Sequence, residues 1–230
     1  MREDSLKRKA AERAVEFVES GMILGLGTGS TVLHALRRLA VLINHGTLRD
    51  IAGVPTSDLT ARLAREFGIP LTTLNEHPQL DLAIDGADEV DSDLNLIKGL
   101  GGALLREKIV AAASRQLIII VDDTKLVSQL GTRAPLPVEV VPFGWQLHMP
   151  YLERLGAKPA LRRTADGEPY LTDGGHYIID CRFAGIDNPQ ILSNALNAQP
   201  GIVENGLFLD MADIVVVGAP DGVLVLSDQG

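Results

Sequence analysis

Short apolar runs, most of them closed by glycine, proline or an acid, recur through the first half of this chain, and helical patterns fill most of the gaps between them. MILGLG (22–27), IAGVPTS (51–57), LTTL (71–74), LDLAID (80–85) and QLIIIVD (116–122) have the length of buried strands. Residues 6–19, 30–46, 58–68 and 103–115 carry apolar side chains at helical spacing. Gly21, Gly46 and Gly68 serve as stops, and Ser57 or Asp58 as an N-cap. Strands that alternate with helices pair in parallel, because only a crossover brings a second strand alongside in the same direction. The expected fold class is α/β: a doubly wound, mostly parallel sheet with helices on both faces.

The pattern changes near Pro135. PLPVEVVPFGW is extended and broken by prolines, MPYLERLGA (149–157) is helical, and ADG and DGG punctuate a meander that runs to YIIDCRF. PQILSNALNAQPG (189–201) is a helix with proline in its first turn. Residues 134–205 are thus expected to form a small α+β domain. The tail 212–227 reads as two strands, ADIVVVG and GVLVLS, that return to the first domain. That domain then comprises 1–133 together with 206–230.

Composition narrows the function. Hydrophobic residues make up 46% of the 230 but aromatics only 4%, so the core is built of Leu, Val, Ile and Ala. A net charge of −9 and a pI near 5.0 argue against nucleic acid and anionic membranes as partners, while leaving room for a local cationic site. Cys181 is alone, so no internal disulfide and no CxxC zinc pattern exist; its apolar setting marks a buried strand residue. His34, His45, His77, His148 and His176 lack metal-ligand spacing. The charged N-terminus has no apolar signal core and no run reaches transmembrane length, so the expected location is cytoplasmic.

Open α/β sheets bind ligands outside the C-terminal ends of their strands, and the chemistry-bearing residues of this chain gather there. GLGTGST (25–31) joins a strand to a helix. Its small residues let backbone N–H groups reach an anion, and Thr28, Gly29, Ser30 and Thr31 open the helix. No GK[ST] follows, Ser30 stands where a dinucleotide fingerprint needs glycine, and VPTSD offers no ribose-binding acid. A tight turn capped by Ser or Thr is the plainer alternative. DGAD (Asp85, Gly86, Ala87, Asp88) sets two carboxylates around a turn; the following Glu89, Asp91 and Asp93 lack EF-hand spacing and read as a solvated loop. In KGLGGALLREK, Lys98 precedes a glycine turn (Gly99, Leu100, Gly101). Glu107 lies about one turn into the next helix, where dipole compensation is the ordinary reason for a Glu. Lys125 follows the LIIIV strand on the same edge. Lys7 is an early helical residue whose plain reading is a solvated charge. Carboxylates and a lysine at one sheet edge point to proton transfer on a small anionic molecule.

GTGST, DGADEVD, KGLGGALLREKIV, DDTK, LPVEVVPFGW and GAPDGV occur in this order, and together they closely resemble the ribose-5-phosphate isomerase type A family over nearly the whole chain. The resemblance implies a larger Rossmann-like α/β domain with a smaller α+β domain, and no metal or organic cofactor. It also implies a homodimer or homotetramer, and interconversion of D-ribose 5-phosphate and D-ribulose 5-phosphate in the pentose phosphate pathway. Matched by motif, Glu107 corresponds to the family's catalytic base, and Asp85, Asp88 and Lys98 to its active-site polar groups. Thr28, Gly29, Ser30 and Thr31, with Gly86, Ala87, Gly99, Leu100 and Gly101, correspond to substrate-binding positions, and Lys125 and Lys7 to phosphate-side contacts.

The implied chemistry is an enediolate mechanism. Glu107 shuttles the proton between C2 and C1, and Lys98 stabilises the developing oxyanion. Asp85 serves ring opening and Asp88 orients hydroxyls or Lys98, the two roles being interchangeable at this level. One residue departs from the pattern: Leu100 stands where the family often has glycine. A positive φ there would strain it, so its side chain is expected to point away. A sugar-phosphate sensor would carry a DNA-binding helix-turn-helix ahead of it, and the residues before the first strand are too few. A deaminase or CoA transferase on a similar scaffold fits KGLGGALLREK less well.

Overall fold

The computed structural model describes residues 2–227. In chain order the elements are α1 (Arg2–Val15), β1 (Ile23–Leu26), α2 (Ser30–Asn44), β2 (Ala52–Pro55), α3 (Asp58–Glu66), β3 (Leu82–Asp85), β4 (Glu89–Val90), β5 (Leu96–Ile97) and α4 (Leu104–Ala112). They continue with β6 (Leu117–Asp122), β7 (Leu136–Val140), α5 (His148–Arg154), β8 (Lys158–Leu161), β9 (Tyr177–Arg182), α6 (Pro189–Asn197), β10 (Ile202–Asn205), β11 (Leu207–Phe208), β12 (Ile214–Ala219) and β13 (Gly222–Ser227). Two compact units result. One holds the residues up to Ala87, Arg106–Leu126 and the chain from Met211 on; the other holds Asp88–Leu105 and Val127–Asp210.

The first unit is built on a six-stranded sheet in the order β13-β12-β6-β3-β1-β2, parallel except for β13, which pairs antiparallel with β12. β6 is buried at every position of LIIIVD, as a strand covered on both faces must be. On α2, Val32, Ala35, Leu36, Leu39 and Ala40 form one buried stripe at helical spacing. α1 presses so close to β12 that a Cβ on Gly218 would lie 2.0 Å from the carbonyl oxygen of Leu6. β1 sits between β2 and β3, so successive crossovers leave it in opposite directions. The crevice this reversal opens at the C-terminal ends of β1 and β3 is where such sheets hold ligands.

LTTL does not become a strand. Leu71 makes a single bridge to Gly53, while the hydroxyls of Thr72 and Thr73 bond the Glu76 carboxylate at 2.9 and 3.2 Å. Those local bonds turn the backbone away from a ladder. Among the described residues no helix is long and apolar enough to cross a membrane.

The second unit carries a four-stranded antiparallel sheet, β10-β7-β9-β8, with the wholly buried β7 inside it. Asn188 caps α6 by accepting the Ile191 N–H at 3.0 Å, and Pro189 follows in the first turn. Cys181 is buried in the core, and that burial pushes its thiol well above the ordinary range, so it stays inert.

A second sheet in this unit, β11-β5-β4, has strands of two residues. It overturns the reading of Glu89 as solvated. Glu89 is fully buried: Oε2 accepts the Gly131 N–H, and Oε1 accepts those of Arg133 and Ala134, each at 2.6 Å. Its carboxylate shapes the loop before β7. Asp91 accepts the N–H groups of Asp93 and Asn95 at 3.0 and 2.8 Å, closing the β4–β5 turn, and only Asp93 is left exposed to water. Asp88–Leu105 groups with this unit because β5 pairs with both β4 and β11.

Candidate active site

In the first unit, the chain leaves β1 through Gly27, Thr28 and Gly29 and enters α2. A Cβ on Gly27 would lie 2.2 Å from Oδ1 of Asp85, so only glycine fits. That same Oδ1, on a buried side chain, accepts the N–H of Thr28 at 3.1 Å and of Gly86 at 2.7 Å. Asp85 therefore fastens the turn after β1 to the end of β3. The N-cap of α2 is Gly29 at φ 126, with no side-chain cap. This disposes of the capped-turn alternative: the Thr28 hydroxyl faces Thr56, Ser57 and Thr60 instead. Among the described residues the first N–H groups of α2 lack a side-chain acceptor, and Gly29 and Ser30 are exposed while Thr31 is buried. An uncapped helix start with a serine hydroxyl on it suits a phosphate.

Glu107 lies in the first turn of α4 and is 5% exposed. The end of α4 meets the start of β3: the Leu80 N–H donates to the Ala113 carbonyl at 2.8 Å, and the Arg115 N–H to that of Leu80 at 2.9 Å. Its first turn therefore lies toward the C-terminal ends of the strands. There Arg106 pairs with Asp58, in the first turn of α3, at 2.8 Å. Glu107 thus shares its sheet edge with Asp85 and the glycine turn.

Two lysines join this edge. Lys125 ends a 3-10 turn, Asp123–Lys125, that is capped by the buried Asp122 at the end of β6. It is half-buried and, among the described residues, has no ion-pair partner. Lys7 follows Leu6, whose carbonyl abuts Gly218, and Gly218 stands in register with Asp122. Lys7 is half-buried and paired with Glu3, so it is not the freely solvated charge of the plain reading. Among the described residues, no group of three or more His, Cys, Asp or Glu is arranged to hold a metal.

The second unit carries Asp88, Lys98, Gly99, Leu100 and Gly101. Lys98 follows β5 directly, is 2% exposed, and donates its backbone N–H to Gly206 at 2.9 Å. Its ammonium lies 5.3 Å from the centroid of the Phe208 ring, a cation–π contact. Gly99 and Gly102 take the positive φ values, 106 and 83, and Leu100 does not. Leucine is therefore unstrained here, and its side chain is 43% exposed, as expected of a residue that points away. Oδ2 of Asp88 accepts the Leu100 N–H at 3.0 Å. Arg162 donates from Nη1 to the carbonyls of Gly99 and Leu100 at 3.0 and 3.1 Å, while its Nε pairs with Asp180 at 2.9 Å. The Tyr170 hydroxyl would lie 2.3 Å from a Cβ on Gly102, which explains the second glycine of positive φ.

Thus the structure gathers Lys7, Thr28, Gly29, Ser30, Thr31, Asp85, Gly86, Glu107 and Lys125 at one edge of the first unit, whose first segment ends at Ala87. Each aspartate of DGAD accepts an N–H from a different glycine-rich turn, Asp85 from Thr28 and Asp88 from Leu100. Sequence reasoning missed Phe208 and Arg162. Phe208 sits in a two-residue strand without a readable period, and Arg162 reaches the glycine turn only through tertiary folding.

Comparison with known proteins adds a lineage. Residues 52–222 match the family model of ribose 5-phosphate isomerase A (phosphoriboisomerase A). The ribose-5-phosphate isomerase A of Gloeobacter violaceus is 59% identical over 225 residues, 97% of this chain and 96% of its own. That of Roseiflexus castenholzii is 54% identical over 221 residues, 96% of this chain and 94% of its own. A D-ribose-5-phosphate isomerase solved in complex with phospho-erythronic acid superposes with a TM-score of 0.96 at 42% identity, covering 99% of this chain and 100% of the other.

Proposed function

The chain belongs to the ribose 5-phosphate isomerase A family, and we propose that Glu107 is the base with which it moves the proton of its reaction. The activity is the interconversion of D-ribose 5-phosphate and D-ribulose 5-phosphate, an aldose–ketose isomerisation of the non-oxidative pentose phosphate pathway. In the open-chain aldose, Glu107 takes the proton from C2, leaving an enediolate across C1 and C2. It returns that proton to C1 as the hydroxyl proton passes from O2 to O1 and the carbonyl forms at C2. Negative charge develops on the two oxygens in turn, and the buried Lys98 ammonium stabilises it, an electrostatic contribution worth several kcal/mol (about 3–4 for a single lost donor in comparable sites). Asp85 serves ring opening and Asp88 orients the hydroxyls, with the reverse allocation equally compatible with their contacts. The start of α2, Ser30 and Thr31, with Lys125 and Lys7, hold the phosphate and provide binding energy remote from the reacting carbons. No metal or organic cofactor takes part.

The buried placement of Glu107 in the first turn of α4, on the edge that also carries the glycine turn, is the observation that carries this reading. The ligand of the similar solved structure supports it. Phospho-erythronic acid presents a phosphate at one end and a carboxylate at the other, and an enediolate sets a similar pair of oxygens at that end of a pentose phosphate. Glu107→Gln is expected to lower kcat by about 10³-fold or more while KM stays within a few-fold. A fully active variant would overturn the assignment. Lys98→Ala should reduce kcat more than Lys125→Ala does, and a chelator should leave the rate unchanged.

We also propose a cytoplasmic homodimer or homotetramer with no nucleic-acid or membrane partner. Exposed Val223, Leu224 and Val225 on the edge strand β13 support self-association. Light scattering of the purified protein tests it, and a monomer at micromolar concentration would remove it.

A further inference from the structure

Behind the glycine turn of the first unit lie three buried hydroxyls, those of Thr56, Ser57 and Thr60. Their geometry sets the direction of every donor. Oγ1 of Thr60 donates to the carbonyl of Gly27 at 2.8 Å. Oγ of Ser57 donates to Oγ1 of Thr60 at 3.0 Å, and Oγ1 of Thr28 donates to Oγ of Ser57 at 2.8 Å. The proton of Thr28 being used, the 2.7 Å contact between Thr28 and Thr56 has Thr56 as donor. The result is a one-way chain, Thr56 to Thr28 to Ser57 to Thr60, that ends on a backbone carbonyl of the turn itself. Ser57 also accepts the Thr60 N–H at 3.0 Å as the N-cap of α3, so its one donor and two acceptor positions are all filled. Thr28 accepts from Thr56 and donates to Ser57, and Thr60 comes within 3.1 Å of it as well. Its hydroxyl has no proton left for a ligand.

We infer that Thr56, Ser57 and Thr60 are positioning residues of the isomerase, whose hydroxyl chain locks the Gly27–Gly29 turn so that the backbone N–H groups where Gly29 leads into α2, rather than the Thr28 side chain, meet the substrate phosphate. The inference deepens, and rests on, the reading of this turn as the phosphate-holding element. Asp85 pins the turn from β3 through the Thr28 N–H, and the hydroxyls pin it from α3 through the Thr28 side chain and the Gly27 carbonyl. Chains of hydrogen bonds strengthen one another, so losing one hydroxyl loosens the whole set.

The test uses the intact enzyme, with ribose 5-phosphate as substrate and inorganic phosphate as competitive inhibitor. Thr60→Val removes the last donor and Thr56→Val the first, each nearly isosteric. Both should raise KM and the phosphate Ki together by about tenfold, roughly one hydrogen bond's worth of misplacement, with kcat within about threefold. Thr60→Ser should restore both constants. If Thr60→Val does not fold, Thr56→Val, at the far end of the chain, gives the same reading. Variants that keep the wild-type KM and Ki, or that lose kcat alone, would overturn the inference. Gly29→Ala separates this from the premise, because a side chain at φ 126 distorts the turn directly. An unchanged phosphate Ki in Gly29→Ala removes the phosphate reading and the inference with it. A raised Ki there, beside unchanged Thr60→Val and Thr56→Val, removes only the hydroxyl chain.

Discussion

Gly27–Gly29 leads from β1 into α2, and Gly99–Gly102 leads from β5 toward α4; each gives an N–H to one aspartate of DGAD. Their remaining supports differ. The first turn is held by buried, uncharged hydroxyls from β2 and α3. The second is held by the guanidinium of Arg162, itself paired with Asp180. Hydroxyls fix a backbone without adding charge, so at the proposed phosphate site the field is left to the helix start and the lysines. The second turn carries Lys98, and there a charged brace ties down two carbonyls with one planar group. A brace of that kind weakens with salt as a hydroxyl lattice does not.

Removing the two aspartates tests the contrast most severely. Asp85→Ala and Asp88→Ala should each cost about 10²-fold in kcat/KM, since each frees a backbone N–H that fixes a turn and removes a buried or half-buried charge. The losses should divide differently. Asp85→Ala should raise KM, through the turn after β1, as well as lower kcat through lost ring opening, and Asp88→Ala should act mainly on kcat, through the turn that follows Lys98. Steady-state kinetics with ribose 5-phosphate would show the split. Identical splits would mean that the two aspartates do not have separate roles.

Glu89 lies four residues beyond Asp85 and shows what a purely structural acid looks like, with three backbone donors converging on its carboxylate. In Glu89→Gln an amide nitrogen replaces one oxygen and sets a donor against a donor. The expected loss is about 2 kcal/mol of stability, read by denaturant titration, with kcat and KM unchanged in the folded fraction. A kinetic effect at full stability would instead draw Glu89 into the site.

How much was legible follows from where the partners come from. β1, β3 and β6 were readable because apolar runs of four to six residues buried on both faces announce themselves locally. The glycine turns were readable because small residues between a strand and a helix have few other uses. β4, β5 and β11 have two residues each, less than one period, so the burial of Glu89 was hidden in an acidic run. LTTL has strand composition, but its threonines find Glu76 first. Arg162 and the Thr56–Ser57–Thr60 set act through contacts across long chain separations, and no local pattern marks them.

Arg162→Leu keeps the stem of the side chain and removes the brace. Its loss leaves the Gly99 and Leu100 carbonyls without that donor and leaves Asp180, about a quarter exposed, to water. A fall of about tenfold in kcat is expected, with little change in KM. Wild-type kcat should itself decline modestly as salt rises to molar levels, and the variant should not. A variant that loses KM and keeps kcat would remove the turn after Lys98 from the chemical step.

The smallest effect is expected at Leu100. Its backbone is outside the positive-φ region, its N–H is held by Asp88, and the residue is 43% exposed. Leu100→Gly removes neither strain nor a packed side chain. What it adds is backbone freedom between Gly99 and Gly101, an entropic cost of about 0.5–1 kcal/mol. Stability should fall by that amount, and kcat and KM should move by less than about twofold. A gain of activity in Leu100→Gly would show that the leucine obstructs the substrate. A loss beyond tenfold would show that the Asp88–Leu100 bond depends on a stiff backbone, and that the second turn is held by its own conformation as much as by its charged brace.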